Sequence, residues 1–156
     1  TNWLVKIFPY SSSDCSATCL FAIQIEGTIT LGRLGDGMIV ALGKTEEKHF
    51  ILSDNKQDSF SNYTNSLQQE FKPDQWETTT IQSAACNTVV LCTDGISDDL
   101  LPEKQISFAE EIYFTYTKME QKEIKTDIKQ WLNKWPVPGH SDDKTIACLF
   151  KKGDSQ

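Results

Sequence analysis

Thr88–Asp99 reads TVVLCTDGISDD. Five uncharged residues rich in β-branched side chains predict a buried strand. The run stops abruptly at Thr93-Asp94-Gly95, and Ser97-Asp98-Asp99 offers acceptors suited to capping a following helix. Asp94 therefore falls at the end of a rigid, buried element.

Upstream of this strand the pattern is β-rich. Ser16–Ile25 (SATCLFAIQI) predicts a buried strand closed by Glu26-Gly27, and a hairpin follows. Thr28–Leu34 and Met38–Leu42 predict two strands around the corner Gly35-Asp36-Gly37, which holds Asp36 between them. His49–Leu52 is a short strand and Trp76–Ile81 an edge strand. The polar stretch 53–73 between them reads as a long flap. Thr1–Tyr10, with Trp3, Leu4, Val5, Ile7 and Phe8 and no initiating Met, reads as the tail of an element begun upstream.

Downstream, Ile106, Ala109, Ile112, Tyr113 and Tyr116 follow helical spacing within Glu103–Met119, and Ile124, Ile128, Trp131, Leu132 and Trp135 do so around Gln121–Lys134. Their aromatics match a buried face. Pro136-Val137-Pro138-Gly139 stops the second helix, and Thr145–Phe150 (TIACLF) predicts a last strand. With no repeat or linker, the 156 residues read as a single α+β domain or part of one.

Composition narrows the function classes. A formal net charge of −7 with Arg33 as the sole arginine excludes nucleic-acid binding and an anionic membrane surface, and no apolar run is long enough to span a bilayer. Five cysteines without a CxxC pair, and two histidines, exclude a zinc site. The cysteines fit small buried groups kept reduced in a cytoplasm, and none lies in a loop that would make it a phosphatase nucleophile. Gly32–Gly37 has the wrong spacing for a phosphate-binding loop. Asp54–Asn65 fails as a calcium loop because it has Ser59 for the glycine and Asn65 for the glutamate. His49 and His140 read as a strand residue and a solvated loop residue.

What remains is acidic. Asp36 in LGDGM, Asp94 in LCTDGISDD, and Asp142 with Asp143 in GHSDDKT all lie at strand ends or corners beside small residues. Taken singly, each is an ordinary turn or cap residue. Together, carboxylates on rigid strand ends suit a hydrated Mg²⁺ or Mn²⁺, which takes oxygen ligands and retains water. Without a cation their repulsion would be costly.

The ordered motifs DCSATCLFAIQIEGTITLGRLGDGMIVAL, FSNYTNSL, VVLCTDGISDDL and SDDKTIACLF resemble those of bacterial protein phosphatase 2C-like enzymes, the metal-dependent PPM family, from Asp14 to Phe150. The resemblance implies an antiparallel β-sandwich flanked by helices in four αββα layers. It implies hydrolysis of phosphoserine or phosphothreonine in a phosphorylated protein substrate by water activated at two Mg²⁺ or Mn²⁺ ions. Asp94 and Asp142 would bind one of these ions, and Asp36 would lie near a third, weaker position shared with Asp94.

The departures are equally specific. Asp143 stands where many members have Asn, which leaves open whether Asp142 or Asp143 is the ligand, and Gly37 stands where many have Ser. The family's N-terminal Asp-Gly-x-Gly-Gly run, whose Asp bridges both metals, has no counterpart among the 156 residues, and Arg33 in its strand cannot replace the family's phosphate-gripping arginine. The expectation is a C-terminal portion of the phosphatase fold, lacking the N-terminal part and inactive by itself. The alternative is a non-catalytic, phosphatase-like binding or regulatory module.

Overall fold

The computed structural model describes residues 16–53, 65–67, 72–135, 137 and 142–151. Seven strands form two antiparallel sheets. In the first, β1 (Cys19–Ile25) pairs with β2 (Thr28–Leu34), which pairs with β5 (Glu77–Gln82). In the second the order is β4 (Phe50–Leu52), β3 (Met38–Gly43), β6 (Cys86–Cys92) and β7 (Ile146–Phe150). Three helices accompany them: a single turn α1 (Asp94–Ser97), then α2 (Gln105–Tyr116) and α3 (Gln121–Asn133).

Alternation along β3 and β6 makes the layers. Ile39, Ala41, Val89 and Leu91 face the first sheet and pack on Ile29 and Leu31. Met38, Val40, Leu42, Val90 and Cys92 point the other way, onto Ala109, Ile112 and Tyr116 of α2. Such strands are apolar on both faces because both are covered. The expected sandwich with helices is therefore present. Among the described residues it comprises two sheets and a helical layer on the outer face of the second.

α3 is the looser of the long helices. None of its residues is fully buried, although Ile124, Ile128, Trp131 and Leu132 lean on the core. Its start is set by a capping box in which Glu120 and Glu123 each accept from the other's backbone N–H. A groove of about 1460 Å³ runs between α3 and β7, lined by Ile128, Leu132, Cys148 and Phe150 among others.

The outer face of the first sheet carries Phe21, which meets Trp76 with ring centroids 5.7 Å apart, and the exposed Ile23 and Ile25. The expectation of an edge strand at Trp76–Ile81 holds, shifted by one residue to β5. The flap expected at 53–73 lies largely outside the described residues. Residues 65–67 run beside β1, where Leu67 N–H donates to the Ala17 carbonyl at 2.8 Å. The acceptors of Ser97-Asp98-Asp99 do not cap α2, whose N-cap is Lys104 with no side-chain bond, because a turn at Pro102–Lys104 intervenes.

Arg33 lies between the sheets and is 4% exposed. Its Nη2 and Nε donate to the two carboxylate oxygens of Glu77, at 2.5 and 3.4 Å. Nη1 reaches the Gly37 carbonyl at 3.5 Å. The guanidinium thus braces the β2–β5 pair against the Asp36 corner. Its burial confirms that it belongs to a strand.

Removing the half-exposed Glu77 partner should cost stability. Glu77→Ala is expected to lower it by about 2 kcal/mol, less than the loss for a fully buried pair. Replacing both partners with apolar groups, Arg33→Met with Glu77→Leu, should restore most of the loss. Chemical denaturation checks both; a double variant as unstable as Glu77→Ala would contradict the assignment.

Candidate metal centre

The register of the second sheet brings the predicted acids to one end. Met38, Cys92 and Ile146 are Cα partners across β3, β6 and β7. Asp36 precedes Met38 by two residues, Asp94 follows Cys92 by two, and Asp142 precedes Ile146 by four. All three acids thus leave the sheet at the same edge.

The corner holding Asp36 needs glycine. Gly37 has φ +94°, and a Cβ there would stand 2.7 Å from the Cys92 carbonyl, so this turn lies directly on the end of β6. Across the other side, Thr93 fastens β6 to the approach of β7. Its N–H donates to the Thr145 carbonyl at 3.1 Å, its hydroxyl donates to the Asp143 carbonyl at 3.2 Å, and the same oxygen accepts from Thr145 N–H at 3.0 Å.

Asp94 opens α1. Its Oδ1 accepts the N–H of Gly95 at 2.8 Å, and its backbone carbonyl accepts from Asp98 N–H at 2.9 Å. Gly95 itself lies against the Asp143 carbonyl, where no side chain fits. The carboxyl of Asp94 is raised above its ordinary value by burial first, against which the Gly95 N–H pulls it down. Asp36, Asp142 and Asp98 then push it further up. Asp98 is the residue that sequence reasoning missed. It was read as a helix cap, whereas four residues on from Asp94 in a helical turn it shares Asp94's side, a signal available from the spacing alone.

Asp142 and Asp143 are exposed. Asp142 Oδ1 accepts from Asp143 N–H at 2.9 Å, and Lys144 Nζ donates to the Asp142 carbonyl at 3.1 Å. The groove between α3 and β7 opens beside both residues, but Asp36 and Asp94 do not line it. His140 lies outside the described residues. His49 is structural: Nδ1 accepts from Gly43 N–H at 3.0 Å and Nε2 stands 3.8 Å from Glu110.

This donor set fits a hard divalent cation. The donors are carboxylates only, Asp142 exposed and Asp36 and Asp94 half-buried, and among the described residues no three His, Cys, Asp or Glu side chains gather closely enough to cage an ion. Mg²⁺ and Mn²⁺ do not need such a cage, since they bind through one or two carboxylates and keep several waters. Cys86, Cys92 and Cys148 are not competitors. Burial raises the thiols of Cys86 and Cys92, and that of Cys148 to about 12, so they stay protonated at neutral pH.

A family model described as protein phosphatase 2C matches residues 9–133, most of the chain. The chain belongs to the protein phosphatase 2C family. Comparison with characterised protein sequences gives no match. Among solved structures, a bacterial serine phosphatase aligns with TM-score 0.58 at 13% identity, over 90% of this chain and 60% of that one. The catalytic domain of the serine/threonine protein phosphatase PstP in complex with two manganese ions aligns with TM-score 0.54 at 15% identity, over 84% and 56%. A C. elegans sex determining protein aligns with TM-score 0.54 at 14% identity, over 96% of this chain and 43% of that one. These likenesses are of fold. The phosphatase 2C-like chain spans little more than half the length of the bacterial structures it matches. Among its described residues, no helix is long and apolar enough to cross a membrane.

Two outcomes follow from the local geometry. Gly95→Ala should push the Asp143 backbone away from α1 and lower stability by about 1–3 kcal/mol, an overpacking cost measurable by thermal unfolding. For Asp94, the proton is held more tightly in the folded than in the unfolded chain. Its ionisation therefore opposes folding as pH rises through and above the carboxylate range. Asp94→Asn keeps the acceptor for Gly95 N–H, so in a chelator it should raise the melting temperature at pH 7 relative to the parent. That advantage should vanish at a pH below the carboxylate range.

Proposed function

We propose that this chain supplies part of the metal site of a metal-dependent protein serine/threonine phosphatase, with Asp94 and Asp142 as ligands and Asp36 at a weaker, third position. The observation that carries the reading is the register of the second sheet, which brings the Asp36, Asp94 and Asp142 segments to one end of it. Acids gathered on one sheet edge destabilise the protein unless a cation offsets their charge. Of the two neighbouring acids, Asp142 is favoured as the ligand, because it and not Asp143 is among the charges that act on Asp94.

When bound, a pair of Mg²⁺ or Mn²⁺ ions would supply a water of lowered pKa, oriented for in-line attack on a phosphoserine or phosphothreonine ester. The chain's own contribution is geometric and electrostatic. Thr93 fixes the separation of the Asp94 and Asp142 segments, Gly95 N–H orients the Asp94 carboxylate, and the Gly37 corner sets Asp36 against the end of β6. A phosphorylated protein is the substrate class, and cytoplasmic placement accords with the four described cysteines being free.

The second reading is a non-catalytic, phosphatase-like binding or regulatory module with the same fold. Calorimetric titration with Mn²⁺ and turnover of a generic phosphomonoester by the natural full-length product separate the two. The phosphatase reading expects binding at more than one site and hydrolysis lost in Asp94→Asn by a factor of at least about 100, as for a group that supports the transition state directly. Hydrolysis unchanged in that variant, or no binding beyond weak surface association, would refute it.

A further inference from the structure

The end of α3 is built as an aromatic stack with one polar tip. Trp131 Nε1 donates to the Tyr116 hydroxyl at 2.7 Å, which itself donates to Asp127 Oδ2 at 2.6 Å, and Phe108 meets the Trp131 ring edge-on at 6.3 Å. This anchors Trp131 between α2 and α3. Trp135 then lies on Trp131, with centroids 5.6 Å apart and planes at 36°.

From that support Trp135 reaches two segments. Its Nε1 donates to Asp99 Oδ2 at 2.6 Å, in the stretch that follows α1. Lys144 Nζ stands 6.0 Å from its ring centroid, within range of a cation–π attraction, while donating to the Asp142 carbonyl. Asp99 belongs to the same short segment as Asp94 and Asp98, and Lys144 to that of Asp142 and Asp143. The indole thus touches both acid-bearing stretches from outside the sheet, where Thr93 joins them from within.

We propose that Trp135 is a positioning residue for the acidic centre: its indole links the Asp94–Asp99 segment to the Asp142–Thr145 segment and holds their carboxylates at a fixed separation. This deepens the metal-site reading above and rests on it. Like-charged side chains on short turns drift apart unless something holds them, and groups that orient metal ligands from behind commonly govern affinity. The bond to Asp99 is of the strong kind, a neutral donor to a carboxylate, and the stacked Trp131 limits the rotamers in which Trp135 can make it.

Three variants test this: Trp135→Phe, which keeps the ring and loses the donor; Asp99→Ala, which loses the acceptor; and Asp99→Asn, which retains an oxygen for the indole. Amide hydrogen exchange reports on Gly95–Ser97 and Lys144–Thr145, and calorimetry measures Mn²⁺ uptake. Trp135→Phe and Asp99→Ala are each expected to speed exchange in both segments by about fivefold, the scale of one lost hydrogen bond. Each should weaken Mn²⁺ binding about tenfold. Asp99→Asn should keep the parent's exchange and most of its affinity. Faster exchange in only one segment, or an Asp99→Asn variant that behaves like Asp99→Ala, overturns the linking role. If the natural full-length product, in which the Mn²⁺ titrations are made, takes up no Mn²⁺, the metal-site reading falls, while exchange still decides whether Trp135 couples the two segments. Should Trp135→Phe fail to fold, Asp99→Ala carries the same test from the other side of the bond.

Discussion

Everything at the acidic edge depends on how Thr93 closes β6 against the approach to β7. With its backbone N–H and its hydroxyl it makes three hydrogen bonds to the Asp143–Thr145 stretch, so the last strand cannot slide without breaking them together. That lock fixes the register in which Cys92 faces Ile146 across β6 and β7. A slip of β7 by one residue would turn Ile146, Cys148 and Phe150 away from the helices and carry Asp142 away from Asp94. The core and the site therefore share one constraint.

Much of this was legible in the sequence because burial on both faces leaves an unmistakable trace. TVVLC and MIVAL have no polar alternation, and a strand of that kind has covers on both sides. The glycines of LGDGM marked the corner, and the spacing of Ala109, Ile112 and Tyr116 marked the face of α2 that meets the sheet. What the sequence could not show was contact between distant segments. Nothing in the spacing ties Trp135 to Asp99 or Arg33 to Glu77, since those bonds arise from the packing of separate elements. The reading of Asp98 and Asp99 as caps followed local propensity, and the turn at Pro102–Lys104 overrode it by starting α2 later.

The acids also illustrate a trade between stability and readiness to bind. Asp94 is partly buried near Asp36, Asp98 and Asp142 at the end of β6, one of the most buried strands. A fold selected for stability alone would relax that crowding or neutralise it. Here the scaffold around it is reinforced instead, by the Thr93 bonds inside and the α3 aromatics outside.

The sheet topology has a consequence for how the chain assembles. β2 pairs with β5 and β3 with β6, so the middle of each sheet is completed by residues from opposite sides of the same excursion between β4 and β5. Each sheet is complete only when the two sides of that excursion have come together. The entropy lost on closure grows only with the logarithm of loop length. That closure serves both sheets at once, and cutting the chain between β4 and β5 would leave the two halves of each sheet held together by non-covalent contacts alone.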